Sequence, residues 1–367
     1  MKKIVFINKN LWSFNNFRYQ LAYNLSKKYD VYCLYGGSNT NSKKKIKNVK
    51  YLNIGLSQKP IDPINDLKYV IRLIFFLKKN RPDIVHCFNP KPVLLSFLSL
   101  FYFKNIKLFL TITGLGHSFL TKNKILRALF NTLYFFSFLK ADLIFFQNNL
   151  DFNLFKNKGF LKNKKTFKTI GLGIRISKNL KTKKIRDKIS FAFVSRVTKE
   201  KGIFEYLYAI KRIQESNNNL AKFYVVKNFD ENSLVGLDLK KLNYLIKELD
   251  IKMSFLEYDT NIKRLYDKFD ILVFPSYREG ASKTLMEACN FGKVILASNV
   301  AGCNNIVQNK KNGFLFKSGS IDALYNSLNK VLDNKKKLKV MAKHSRIIAK
   351  QKFEEVKILK RVEKFYR

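Results

Sequence analysis

Carboxylates are scarce in this 367-residue chain: 26 Asp and Glu stand against 71 Lys and Arg, a formal charge of +45. The basic residues are spread along the whole length rather than gathered in a tail. Such a surface favours polyanions, whether nucleic acid, anionic lipid headgroups or phosphorylated substrates. Histidine is scarcer still. His86, His117 and His344 are the full complement, too little for a metal centre or for acid–base schemes built on imidazole, so no metal and no cofactor are expected. The four cysteines, Cys33, Cys87, Cys289 and Cys303, lie far apart with no C-x-x-C pair. They are expected to be reduced, mostly buried thiols of a cytosolic protein.

Uninterrupted apolar runs of membrane-spanning length are also lacking. Residues 92–103 are too short to cross a bilayer. Residues 125–146 are long enough but broken by Arg127, Asn131, Lys140 and Asp142, and are expected to be a helix running into a strand. With phenylalanines flanked by lysines, that stretch suits an anionic membrane surface, the alternative being burial against its own sheet. Lys2-Lys3 leads straight into a short strand, so no signal peptide is expected. The first strand runs into Asn8-Lys9-Asn10 instead of G-x-G-x-x-G, which argues against a dinucleotide enzyme there. A P-loop, an H-E-x-x-H pair and any recognised nucleic-acid motif are missing too, and no specific nucleic acid is expected as a partner.

What is present is alternation. Strands are expected at residues 4–7, 31–35, 51–54, 83–87, 107–112 and 143–147, separated by helices at 17–28, 66–79, after Pro92 and before Lys140. The scheme repeats with strands at 189–194, 222–226, 252–256, 271–274 and 294–297, and helices from Gly202 to about Glu215, at 239–249, 261–268 and 283–291. From residue 321 the chain is helical to its end, with a break near 333–334. Strand–helix alternation predicts parallel sheets covered by helices on both faces. The expected class is α/β with two Rossmann-like domains facing each other across a cleft, the ligand at the carboxyl ends of the strands. Residues 1–175 would form the first domain, the basic stretch 176–188 a linker and 189–350 the second domain. Residues 351–367 would be a helix returning to the first.

Chemistry concentrates in residues 271–316. Glu279-Gly280-Ala281-Ser282 places an acid and small residues where a strand ends and a helix begins, with Glu287 eight residues on. A helix N-terminus fronted by small residues can hold a phosphate, because its free N–H groups point outward and its dipole favours negative charge. Upstream, Ser195-Arg196 ends a strand and Lys201-Gly202 opens the next helix, so two cations converge where an anion would sit.

Taken together these motifs resemble the retaining family 4 glycosyltransferases of GT-B fold, in the subgroup that builds bacterial capsule, lipopolysaccharide or other lipid-linked glycans. The resemblance is carried by Val194-Ser195-Arg196, Lys199-Glu200-Lys201-Gly202-Ile203, Phe274-Pro275-Ser276-Tyr277-Arg278-Glu279-Gly280, Leu285-Met286-Glu287-Ala288, Gly292-Lys293-Val294-Ile295, Gly302-Cys303 and Asn312-Gly313-Phe314-Leu315. In the first half, the stretches from His86 to Pro92 and from Thr111 to His117, with Phe146-Gln147-Asn148, match the same subgroup. The resemblance implies that Arg196 and Lys201 clamp a donor diphosphate, helped by Ser195 and the backbone N–H groups of Gly280, Ala281 and Ser282. Glu287 would accept both ribose hydroxyls, and Glu279 would hold hydroxyls of the sugar.

By the same resemblance the enzyme is metal-independent. It would pass a hexose or N-acetylhexosamine from a nucleotide sugar, UDP-linked above all, to a lipid-linked or oligosaccharide acceptor entering from the first domain. Its place would be peripheral, at the inner face of the plasma membrane and against anionic lipid. Three departures stand out. Relatives carry a histidine in the first domain where this chain has Thr113, leaving His117, four residues on, as the candidate. Lys227-Asn228-Phe229 replaces a glycine-rich turn, and Asn304-Asn305 replaces Arg-Glu. The alternatives are a nucleotide-sugar epimerase of the same fold, or a catalytically impaired basic relative that binds membrane or polyanion.

Overall fold

The computed structural model describes the chain except for residues 38–44, 60, 116–122, 178–186, 217–220 and 229–236. It forms two compact units, one of Met1–Leu172 with Val356–Arg367, the other of Gly173–Glu355.

The first unit is built on seven parallel strands: β1 (Lys3–Asn10), β2 (Asp30–Gly36), β3 (Val49–Asn53), β4 (Ile84–Phe88), β5 (Lys107–Ile112), β6 (Leu143–Phe146) and β7 (Thr166–Lys168), in the order β3-β2-β1-β4-β5-β6-β7. Alternate residues serve opposite faces. Val5, Ile7, Val85 and Leu108 pack beneath α3 (Pro63–Asn80), α4 (Pro90–Leu100) and α5 (Lys124–Lys140), with α6 (Asn149–Asn157) beside them. Ile4, Phe6, Ile84 and Phe109 pack on the other face against α1 (Leu11–Phe17) and α2 (Tyr19–Leu25). The helix α13 (Glu355–Glu363) and Tyr366 close that second face.

The helix expected over 17–28 is the shorter α2, and a further helix, α1, stands before it. Arg18 separates the two with φ −127°, its side chain turned inward, 4 % exposed, the guanidinium 4.3 Å from the centre of the Phe88 ring. Burial lowers its pKa to about 10. Behind it lies a buried polar cluster. His86 Nε2 is 2.6 Å from Thr111 Oγ1, His86 Nδ1 is hydrogen-bonded to Tyr366 Oη, and the imidazole is stacked between Phe88 and Phe145. Burial and then the Arg18 charge hold His86 well below its ordinary pKa, so it stays neutral and structural. Tyr366→Ala is expected to cost about 3–5 kcal/mol by emptying a filled site. Tyr366→Phe should cost about 1–3 kcal/mol by leaving an imidazole nitrogen unpaired. Urea unfolding of the two variants measures both.

In the second unit β8 (Ile189–Phe193), β9 (Ala221–Val226), β10 (Ser254–Leu256), β11 (Ile271–Phe274), β12 (Val294–Ser298) and β13 (Gly313–Phe316) form a parallel sheet in the order β10-β9-β8-β11-β12-β13. One face carries α7 (Ile203–Glu215), α8 (Leu239–Glu248) and α11 (Ile321–Asp333) over Phe191, Phe193, Val273 and Leu296. The rest of the unit holds α9 (Ile262–Tyr266), α10 (Lys283–Asn290) and α12 (Lys335–Lys352), with α10 packed on α12. β13 lies between the expected strand at 294–297 and the expected helix from 321, and its Gly313 must lack a side chain because a Cβ would lie 1.8 Å from the Ile295 carbonyl oxygen. The interdomain stretch lies largely outside the described residues; Ser177, on its near side, donates from its backbone to Asn290 Oδ1 at 3.0 Å.

Candidate active site

In the second unit the chain runs outward from β8 through β9 to β10, then returns to the other side of β8 as β11. Connections therefore diverge between β8 and β11, and the crevice at their carboxyl ends is where an open parallel sheet accepts a ligand. Ser195 and Arg196 follow β8 there, Ser195 half-buried and Arg196 exposed. Lys201 closes a short 3-10 turn, Lys199–Lys201, ahead of α7. From β11 come Glu279, Gly280 and Ala281, all half-buried, and Ser282, whose hydroxyl caps α10 by accepting from Leu285 N.

Lys201 Nζ donates to Glu279 Oε1 across the switch point, with 17 % and 12 % of the two side chains exposed. Backbone contacts hold the two loops together. Tyr277 N and the Ser276 hydroxyl both donate to the Glu200 carbonyl, at 2.9 and 3.4 Å. Gly202, at φ 78°, lies so close to Pro275 that a Cβ would sit 2.2 Å from its carbonyl oxygen. Gly302, also at φ 78°, abuts Gly280 in the same way at 2.2 Å. Beside it the buried Cys303 thiol is pushed well up by burial, and next by the Glu279 charge.

Glu287 projects from α10. Because that helix starts only at Lys283, Glu287 stands little more than one turn inside it, not the two that counting from Glu279 suggests. Its side chain is 18 % exposed, and burial holds its carboxyl above the usual range, partly offset by Lys283 Nζ at 3.8 Å. Tyr258, 54 % exposed, has its phenol raised by burial and then by the Glu287 charge. A cation, two carboxylates and a capped helix N-terminus at one switch point can grip an anionic ligand that also carries hydroxyls.

Lys201 and Glu279 are thus in contact, and Ser195, Arg196, Gly280, Ala281, Ser282 and Glu287 belong to the same strand ends and helix. His117 lies outside the described residues. Among the described residues no group of three His, Cys, Asp or Glu side chains could hold a metal ion. Two features escaped sequence reasoning. Glu205, 8 % exposed in the first turn of α7, accepts a hydrogen bond from Tyr277 Oη, fixing the residue two before Glu279; burial, then that bond, pushes the phenol up to about 12. A buried acid in the first turn of an otherwise apolar helix face is the signal that could have found it. At the first unit's own switch point, between β1 and β4, Asn10 Nδ2 donates to Gln58 Oε1 at 3.2 Å and Lys9 N to Asn89 Oδ1 at 3.3 Å. Asn8 beside them is fully buried, and its amide has no hydrogen-bond partner among the described residues.

Comparison with known proteins agrees over both units. Residues 3–148 match the family model described as glycosyl transferase 4-like, and residues 176–347 the one described as glycosyl transferases group 1. The capsular polysaccharide biosynthesis glycosyltransferase CapM of Staphylococcus aureus is 23% identical over 317 residues, 82% of this chain and 81% of the relative. The UDP-Gal:alpha-D-GlcNAc-diphosphoundecaprenol alpha-1,3-galactosyltransferase of Escherichia coli is 26% identical over 317 residues, 83% and 80% of the two chains. Among solved structures, the sucrose-phosphate synthase of Thermosynechococcus elongatus superposes with a TM-score of 0.81 at 17% identity, covering 100% of this chain and 98% of its own, which speaks for the fold. The chain belongs to the family 4 glycosyltransferases of GT-B fold, with a 4-like first half and a group 1 second half.

Proposed function

We propose that this glycosyltransferase moves a hexose or N-acetylhexosamine from a UDP-sugar to a lipid-linked or growing bacterial surface glycan, with retention at the anomeric carbon. The observation that carries the reading is the meeting of Lys201 and Glu279, 78 residues apart in sequence, at the β8/β11 switch point beside the capped start of α10. A sugar nucleotide needs what is gathered there. Arg196 and Lys201 take the diphosphate with the N–H groups of Gly280, Ala281 and Ser282, whose positive ends stabilise charge as the leaving group departs. Glu287 accepts from both ribose hydroxyls, Glu279 from the sugar, and Tyr258 offers a ring face for the base. The donor class and the lipid diphosphate acceptor are supported by the E. coli relative, which is a UDP-Gal:alpha-D-GlcNAc-diphosphoundecaprenol galactosyltransferase.

With both carboxylates engaged in binding, the reaction proceeds on one face of the sugar. The bond from C1 to the diphosphate oxygen breaks and the acceptor oxygen bonds C1 from the same side. The acceptor proton passes to the departing diphosphate. A lipid-linked acceptor places this work at a membrane surface, although no helix among the described residues is long and apolar enough to cross a membrane.

A thermal-shift screen of nucleotide sugars tests the donor, since a bound ligand raises the melting temperature by mass action. UDP-sugars are expected to stabilise, and no shift with any nucleotide sugar would sink the reading. Donor isomerised without acceptor would point to an epimerase. Arg196→Ala should lower turnover by about 10²-fold or more while the fold is kept. Gly302→Ala should do so by roughly 10²-fold through displacement of the Glu279–Gly280 turn, at an unchanged mechanism. Steady-state transfer assays read both, and a Gly302→Ala enzyme at the wild-type rate would show that this turn does not position the donor.

A further inference from the structure

The helices α3, α4 and α5 lie side by side on one face of the first unit's sheet, their inner residues buried over it. Their outer surface is apolar to a degree that the fold does not require. On α3 the residues Tyr69, Leu73 and Leu77 bury into the core, yet Ile64, Leu67, Ile71 and Phe75 form a second stripe at helical spacing that is 70, 62, 44 and 68 % exposed. The turn after α4 adds Phe101, 73 % exposed, and α5 adds Ile125 at 83 %. Large apolar side chains exposed together on neighbouring elements of one face mark an interaction site.

The charges around it are almost all of one sign. Lys68, Arg72, Lys78 and Lys79 flank the α3 stripe, and Lys104, Lys124 and Arg127 the remainder, all exposed. No Asp or Glu occurs between Asp83 and Asp142, and Asp66 of α3 is half-buried and paired with Lys91 at 2.6 Å. Apart from Asp62 at the N-cap of α3, whose carboxylate accepts from Ser57 and Asn65, the fringe is cationic. Such a surface fits an anionic bilayer: the side chains enter the headgroup boundary while the lysines and arginines meet the lipid phosphates.

We propose that the outer face of α3 and α5, with the α4 turn between them, is the surface on which this enzyme docks to anionic lipid. The inference rests on the proposed lipid-linked acceptor and gives it a physical route: the first unit meets the membrane that carries the acceptor. It also gives α3 a role that composition alone did not suggest, since only the stretch around α5 has the run of phenylalanines that draws attention.

The test uses the full chain, floated with phosphatidylcholine vesicles with and without phosphatidylglycerol. Wild type is expected to float with the anionic vesicles at least about ten-fold better than with neutral ones. Ile71→Glu with Phe75→Glu should abolish flotation, and Phe101→Glu with Ile125→Glu likewise. Tyr244→Glu with Val340→Glu adds the same negative charge to exposed apolar positions of the second unit and should change little. Equal loss in that control would show adsorption through overall charge and overturn the proposal, as would full flotation of the α3 variant. A dimer that dissociates in the α3 variant without loss of flotation would assign the face to a second copy instead. Transfer to a short-chain, water-soluble acceptor separates this proposal from the enzymatic one. Docking variants should keep that rate and lose only transfer to acceptor in vesicles. A wild type that transfers to soluble acceptor but never floats disproves docking alone. One that floats but transfers nothing disproves the activity alone.

Discussion

Lys201→Met is expected to lower turnover by about 10²–10³-fold, the usual cost of removing one charge-stabilising group from a transition state. The same substitution should destabilise the second unit. It strands Glu279, whose side chain is 12 % exposed, without the cation it accepts from. Glu279→Gln alone has the converse effect, leaving Lys201 beside the Phe274 ring, 5.9 Å from its centre, without a carboxylate. The double variant Lys201→Met/Glu279→Gln should therefore recover part of the lost stability, with a coupling of about 1 kcal/mol or more. It should recover none of the lost turnover, because donor diphosphate and donor sugar have each lost a contact. Urea unfolding of the four proteins gives the coupling, and steady-state transfer gives the rates. Additive stability losses would show that the ion pair is incidental to the loop junction, and a Lys201→Met enzyme with wild-type turnover would remove Lys201 from the diphosphate site.

Much of the fold was legible because its strands are short apolar runs between turn residues. Ile84–Phe88 and Ile271–Phe274 are buried at every position, as central strands of a parallel sheet must be, and such runs stand out. The elements that escaped are those decided by distant contacts. The break between α1 and α2 depends on Arg18 finding the Phe88 ring, 70 residues along the chain, and in sequence Arg18 resembles any exposed helix residue. β13 was hidden by Asn312 and Gly313, turn residues by propensity, although close approach to Ile295 is what demands the glycine. β7, three residues long at a sheet edge, has too little pattern to be seen. In the candidate site, residue types and local order were readable, since Ser282 caps a helix and Gly202 opens one. Which side chains touch was not. Neither the Lys201–Glu279 contact nor the Glu205–Tyr277 bond follows from spacing, because both depend on β8 and β11 being neighbours in the sheet.

Glu287→Gln should make the protein more stable and a far poorer binder of its donor. Burial raises the Glu287 carboxyl above its ordinary pKa, so the folded chain takes up that proton more readily than the unfolded one. The stability that this group contributes is complete below the ordinary carboxylate pKa and is lost as pH rises through the raised value. At neutral pH the charged carboxylate is thus a cost, relieved only in part by Lys283 at 3.8 Å. Glutamine removes the charge at nearly the same volume, and a gain of about 1 kcal/mol is expected, seen as about 2–4 °C in melting temperature. The advantage over wild type should shrink as pH is lowered towards the carboxylate range, because wild type then becomes neutral as well. Donor affinity should move the opposite way. Two ribose hydroxyls need two acceptor oxygens, which a carboxylate has and an amide has not. The variant should lose about 10²-fold in affinity, since hydrogen bonds to a charged group contribute about 1.5–3 kcal/mol each. Wild-type affinity should itself fall as pH drops through the raised pKa, while the variant's stays flat. Calorimetric titration with a UDP-sugar across pH, beside thermal melts without it, measures both trends. A variant that melts lower than wild type at neutral pH would show that Glu287 is held by structure and not by function, and unchanged affinity would take the ribose away from it.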